Sequence, residues 1–302
     1  MKTFIVIFFS FLALNLLAET PQKWSVRVSK NQSNAAFAVG IGSEIILKAP
    51  GTQQESPGVL LGQLLNHDGS VHSLMVYESG RKTVEYIPST DIEQIPVGLQ
   101  NVLKLYQQQG GTCTGYALDD FLLQTQMSGF VGTRKLRDQL TTEEGRTELL
   151  ADAINQYYLV LQHQFSIDGI LNQYGKTYGF SCAKNGFEDA ASAHEFILNS
   201  LKTGFPVLLS FEVGTKMYNG PFELQQMVAQ VPADDNRLWL PRQKGERDGG
   251  GHSVVATGSF NLEGKDYLVM LDSDWDLPRV WDLDQAIQDH SALRELEIYT
   301  CQ

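Results

Sequence analysis

The stretch Gln107–Leu122 reads QQQGGTCTGYALDDFL, and it divides the chain into two textures. Two glycines end an irregular approach, a cysteine follows, and an apolar run begins directly after it. That order predicts a helix opening near Cys113, with Tyr116 to Met127 as its body. A thiol at a helix start meets unpaired backbone N–H groups, which favour its anion. Gly110 and Gly111 let backbone approach a bound substrate closely.

Before this stretch, from Trp24 to about Ile92, the pattern is short and alternating. KWSVRVS, SEIILKAP, PGVLLGQLL, HSLMVYES and KTVEYIP are apolar runs bounded by Gly, Pro, Asn and Ser, and predict strands in a small β-rich unit. After it, Thr141 to Gly175 carries apolar residues at helical spacing. Thr141 to Glu144 (TTEE) reads as a capping box. Phe187 to Gly204 predicts another helix. FPVLLSFEV, HSVVATGSF, KDYLVMLDSDW and LRELEIYT then predict strands. Helices first and antiparallel strands second make an α+β arrangement.

The chain has 302 residues, 35 acidic and 23 basic, for a net charge of −12. Such a chain repels phosphate backbones, so nucleic acid is not an expected partner. Its first residues, MKTFIVIFFSFLALNLLAET, combine Lys2 with an apolar run from Thr3 to Leu17 and the small residue Ala18. This predicts a secretory signal peptide over residues 1–18, since the run falls short of the ~20 residues a spanning helix needs. Export would leave no stable membrane association after cleavage. It would also let a disulfide persist. The cysteines are Cys113, Cys182 and Cys301. One bridge leaves one thiol, and Cys182 and Cys301, with no base beside them, are the expected structural pair.

A thiolate nucleophile needs a base. DGGGHSVVATGSF places His252 after three glycines, roughly 140 residues beyond Cys113. The imidazole needs an orienting acceptor. KDYLVMLDSDW supplies Asp272 at the end of the next predicted strand, joined to the first by a turn at NLEGKD. Asp274 shares that strand face and is its rival. Trp275 is placed to shield the pair from water. For the oxyanion of a tetrahedral intermediate, the Cys113 N–H and a glutamine amide are the expected donors, with Gln107, Gln108 and Gln109 all on offer.

The order glutamine, cysteine, histidine, then carboxylate or amide resembles that of the papain-like cysteine peptidases. GFPVLLSFEVGTKMYNGPF (Gly204–Phe222) is similar to that family's Pro-Val strand and Tyr-x-Gly turn. The likeness covers about Ile95 to Trp281. It implies a papain-like fold over residues 95–302, with a helical half and an antiparallel β half. Residues 19–94 would then be either a pro-segment or an accessory unit. It also implies peptide-bond hydrolysis of a protein or peptide substrate, with no metal or organic cofactor. Cys113, His252 and Asp272 would form the triad. By the family's spacing the oxyanion glutamine is Gln107.

There are departures from the family pattern. Gly110 stands where the family has its first cysteine, and Thr114 where it has an aromatic residue. Asp272 replaces asparagine, with one extra residue before Trp275. These features are more similar to a divergent bacterial branch, such as the leader-peptide-processing peptidases. Two other readings share the residues: a transglutaminase-like or cell-wall endopeptidase or amidase triad, and a papain-like binding protein without catalysis. His67 and His72 lack an evident third ligand and are expected in an exposed turn. ADDNRLWLPRQKGERDGG (Ala233–Gly250) is a polar loop before His252, either a lid or plain surface.

Overall fold

The computed structural model describes residues 22–28, 44–65, 71–81, 83–94, 108, 111–127, 142–162, 166–203, 205–214, 218–219, 237–238, 242, 248–262, 264–274, 279–287 and 296–301. The predicted signal peptide, Gln107, Gln109, Gly110, His67, Trp275 and most of the Ala233–Gly250 loop lie outside these residues.

The N-terminal strands are β1 (Ser25–Val28), β2 (Glu44–Lys48), β3 (Glu55–Leu65), β4 (Val71–Glu78) and β5 (Thr83–Pro88). They form an antiparallel meander whose spatial order is the chain order. Side chains alternate across a strand, so β4 presents two different faces. Leu74 and Val76 join Val26, Ile45, Leu47, Leu60 and Ile87 in one apolar cluster. Met75 and Tyr77, with Val59 of β3, point the other way into the principal core of the molecule. The LMVY run in β4 is therefore continuous because both faces are buried.

Among the described residues, four helices of more than one turn follow. α1 spans Cys113–Met127, α2 Glu143–Leu161, α3 Ile167–Tyr178 and α4 Ala190–Lys202. The starts of α2, α3 and α4 each have a physical cause that refines the sequence reading. The cap of α2 is Thr142, whose hydroxyl accepts from the Gly145 N–H at 3.1 Å, one residue later than the TTEE box implies. Ser166 caps α3 through the Gly169 N–H at 3.1 Å, so the stretch from 141 to 175 that carries helical spacing forms two helices. Asp189 caps α4 through the Ser192 N–H at 2.8 Å, so that helix begins at Ala190 and not at Phe187.

The remaining strands are β6 (Cys182–Asn185), β7 (Val207–Gly214), β8 (Tyr218–Asn219), β9 (Arg237–Leu238), β10 (Asp248–Leu262), β11 (Lys265–Leu271), β12 (Arg279–Asp282) and β13 (Leu296–Cys301). A one-turn helix, α5, covers Leu283–Ala286. Six of these strands make one antiparallel sheet ordered β12-β11-β10-β7-β13-β6, and β8 pairs with β9 alone. The fold is thus α+β, with two main antiparallel sheets.

The six-stranded sheet is covered on both faces. Leu208, Val255, Val269 and Leu271 pack toward α1, α2 and α3, where Leu118, Phe121 and Leu122 are wholly buried. Burial of a large apolar side chain is worth about 1.5–3 kcal/mol, so these three anchor α1 firmly on the sheet. Val207, Leu209, Val254, Ala256, Leu268 and Met270 face α4 and α5 instead. Helix α1 also sits tight against α2. A Cβ on Gly115 would lie 2.9 Å from the Ile154 Cα, which only glycine permits.

Cys182 and Cys301 face each other directly across β6 and β13 and are joined as a disulfide, leaving Cys113 as the free thiol.

Candidate active site

Cys113 is the first residue of α1 and is 5% exposed. The turn below it closes through Gly115 N–H to the Thr112 carbonyl at 3.0 Å. The Cys113 amide belongs to that first turn and has no partner within its own helix. Its sulfur lies 3.7 Å from the Gly251 carbonyl oxygen, the last of the three glycines before the histidine. Gly250 holds φ at 102°, a left-handed conformation that favours glycine, and the β10–β7 register shifts between Asp248 and Gly251. The glycine run therefore bends the strand entry and brings backbone to the thiol.

His252 lies within β10 as its fifth residue and not at its head. It pairs with Phe211 on β7. The Phe211 ring meets the imidazole edge-on at 5.8 Å between centroids, and Trp281 packs behind it at 5.4 Å. Across the hairpin, β11 ends at Leu271, and Asp272 follows it on the side of Leu268 and Met270. Its Oδ1 lies 3.0 Å from His252 Nε2 and also accepts the Asp274 backbone N–H at 3.1 Å. Asp272 is thus the orienting acid, while Asp274 serves it through main chain. With Nε2 engaged by the carboxylate, Nδ1 is the imidazole nitrogen left for the sulfur.

Burial pushes the Cys113 thiol up, yet it is held below its ordinary range. A hydrogen bond from His252 and the charge on that ring outweigh burial, with the Ser253 N–H and the Thr114 hydroxyl adding to them. Burial pulls His252 down. The Asp272 charge and hydrogen bond, followed by those of Cys113, overcome this and raise the ring to about 10. Both shifts favour a thiolate–imidazolium pair at neutral pH.

Gln108 is the glutamine whose place is known. Its backbone N–H donates to the Ser273 carbonyl at 2.7 Å, and its Oε1 accepts the Ser273 hydroxyl at 2.9 Å. Ser273 adjoins Asp272, so these two bonds tie the approach to Cys113 to the triad acid. Gln107, the choice by family spacing, lies outside the described residues.

His252, Asp272 and Asp274 offer donor atoms within 4.8 Å of one another, the one such group among the described residues. A cation there would compete for the Nε2 and Oδ1 atoms of the triad bond.

Three features escaped the sequence reading. Phe211 supports the ring, Ser273 anchors Gln108, and a hydroxyl pair, Thr114 and Ser253, sits directly behind the two reacting residues at 2.9 Å. The only signal in the sequence was position, since each of these serines and threonines adjoins a triad member.

No family model and no curated protein matches the chain.

Proposed function

We propose that the chain is an exported cysteine peptidase of papain-like fold, acting through Cys113, His252 and Asp272. The observation that carries this reading is one buried free thiol beside an imidazole that is itself held by a buried carboxylate at 3.0 Å. The pairing of the other two cysteines supports an oxidising compartment and leaves Cys113 the sole candidate nucleophile.

The Cys113 thiolate attacks the carbonyl carbon of a peptide bond, and the carbonyl π electrons move onto oxygen. The Cys113 N–H and a glutamine side-chain amide, that of Gln107 by the family's spacing or that of its neighbour Gln108, stabilise that oxyanion. The Gln108 carbonyl is engaged by Ser273, so its amide N–H groups are what it offers to substrate. The tetrahedral species collapses, the C–N bond breaks, and imidazolium gives its proton to the leaving amine. A thioester remains. His252 then takes a proton from water, hydroxide adds to the thioester, and the acid departs as the thiol system is restored.

The test is incubation of wild type and Cys113→Ala with casein, with purified peptidoglycan, and with glutaminyl protein plus an amine donor. Casein cleavage lost in the variant supports the peptidase. Cleavage of peptidoglycan alone, or amine incorporation alone, moves the same triad to a cell-wall or acyl-transfer enzyme. Labelling of Cys113 by iodoacetamide no faster than a free thiol at neutral pH removes the activated thiol and leaves a binding protein.

A further inference from the structure

We propose that Thr114 and Ser253 are positioning residues of the thiol site, their mutual hydrogen bond locking the nucleophile helix to the histidine strand. The inference rests on the activated-thiol reading above and extends it to two residues that touch no substrate.

Thr114 follows Cys113 on α1, and Ser253 follows His252 on β10. Their hydroxyl oxygens are 2.9 Å apart, and the two residues are 3% and 0% exposed. The bond therefore joins the backbone positions next to the sulfur and next to the imidazole. A slip of helix against strand would stretch it and the Sγ–imidazole contact together. Two further hydroxyls extend the chain. Ser253 donates to Ser210, its direct cross-strand partner on β7, at 3.0 Å. Tyr157 of α2 bonds to Thr114 from the other side. Four elements are thus stitched through one buried row: α2, α1, β10 and β7.

A buried hydroxyl without a partner costs stability, so an apolar pair would fill this space with less risk. Polar residues here make sense if orientation matters. Hydrogen bonds are directional where apolar packing is not, and buried chains of them polarise one another. Proton counting gives the direction. Ser253 spends its proton on Ser210, so in the neutral site Thr114 supplies the proton between the two. Thr114 Oγ1 also lies 4.0 Å from the sulfur, and the Ser253 N–H reaches the same atom. The Ser253 N–H thus holds the thiolate whatever the hydroxyls do, while the one Thr114 hydroxyl proton is shared between Ser253 and the sulfur, turning toward the sulfur when it is charged. The titratable groups around the pair are Cys113 on α1, Tyr157 on α2, His252 on β10 and, one bond further, Asp272.

The experiment is the pH profile of Cys113 alkylation by iodoacetamide, with peptidase kinetics alongside, in wild type, Thr114→Val, Thr114→Ser and Ser253→Ala. Thr114→Val keeps the shape and removes the hydroxyl. Its thiol midpoint is expected to rise by about one pH unit, the scale of one lost hydrogen bond to a charged group. Its kcat should fall about tenfold with KM little changed. Thr114→Ser is expected to restore both. Ser253→Ala reads the same contact from the strand side and covers the case in which Thr114→Val does not fold. The double variant, Thr114→Val with Ser253→Ala, should cost less than the two singles combined, because both break one bond. A wild-type alkylation profile in Thr114→Val, or in Ser253→Ala should the first not fold, overturns the proposal. If wild type itself reacts like a free thiol, the activated-thiol reading has failed instead.

Discussion

Replacing Asp272 by asparagine tests the electrostatics on which the site depends. The asparagine side chain would still accept from the His252 N–H through its amide oxygen, so ring orientation is largely kept and the negative charge alone is lost. A unit charge at 3.0 Å contributes about 5 kcal/mol at an effective dielectric near 20, which sets an upper bound. The difference between a charged and a neutral hydrogen bond, about 1 kcal/mol, sets a lower one. His252 should therefore fall by between about one and four units from its raised value. Burial, which already pulls the ring down, is then opposed mainly by Cys113. With imidazolium scarcer, the thiolate loses its main support and the Cys113 thiol climbs toward its ordinary range. The assay is the rate of Cys113 carbamidomethylation from pH 4 to 10, with thermal melting to confirm folding. Wild type should show a midpoint below that of an ordinary thiol, and Asp272→Asn a midpoint about one unit or more higher than wild type. Asp274→Asn should move the midpoint less than Asp272→Asn, because Asp274 keeps its backbone N–H to Asp272 and its carboxylate is more exposed to solvent. Superposable wild-type and Asp272→Asn profiles would refute the reasoning, and a shift in Asp274→Asn alone would reverse the two roles.

Replacing Cys182 and Cys301 together by serine opens a bridge spanning 119 residues, and should cost about 4–5 kcal/mol in chemical denaturation while leaving the alkylation midpoint of Cys113 unmoved. Burial raises Asp119 to about 6, and burial with the Asp119 charge raises Asp120 to about 8, each partly offset by Arg146. A raised acid retains its proton in the folded chain after the unfolded chain has lost it, so this pair should make stability fall as pH rises from about 4 to 8. Asp120→Asn should flatten that part of the curve of unfolding free energy against pH, and an unchanged slope would contradict it. Gly115→Ala pushes a Cβ into the α2 backbone at Ile154, and should destabilise by about 1–3 kcal/mol in urea melts. A chain beginning at Ile95 should lose solubility or melt earlier, since Phe260 and Tyr267 lose the cover of Val59, Met75 and Tyr77. A truncated chain as stable as wild type and more active would show that the N-terminal strands are a removable plug.

The grouping of Cys113, His252 and Asp272 was legible because each of them sits where a change of backbone texture marks it. Cys113 follows two glycines and opens an apolar helix. His252 follows three glycines inside a β-branched run, and Asp272 ends the next such run. Strand alternation put Asp272 and its rival Asp274 alike on the face of Leu268 and Met270 and did not choose between them; the 3.0 Å contact with His252 distinguishes Asp272. Three things were out of reach. The contact of Gln108 with Ser273 depends on the path of an irregular segment, where a one-residue offset changes which glutamine arrives. The Thr114–Ser253 bond depends on how a helix docks on a strand far along the chain, and no local pattern encodes that. The edge strands Cys182–Asn185 and Arg279–Asp282 are four residues each, too short to show a period. The one-residue shift of the α2 cap has a local cause: Thr141 and Thr142 both carry a hydroxyl, and which of them caps is decided by where the helix packs.

The place of the N-terminal sheet bears on how the site is controlled. Tyr77 of β4 meets Phe260 at 6.2 Å between ring centroids, and Phe260 stacks on Tyr267 at 5.4 Å. Both aromatic residues sit near the turn that joins β10 and β11, whereas His252 and Asp272 occupy the open end of the same hairpin. Eight strand residues separate Phe260 from His252, or roughly 25 Å at the rise of an extended strand. The sheet therefore seats at the end of the hairpin away from the thiol. A pro-segment works by lying across the reacting atoms and leaves a finished surface when removed. Removing these strands would instead uncover one apolar face of the principal core while leaving the triad contacts as they were. The burial of β4 on both faces thus favours a permanent unit over a removable one.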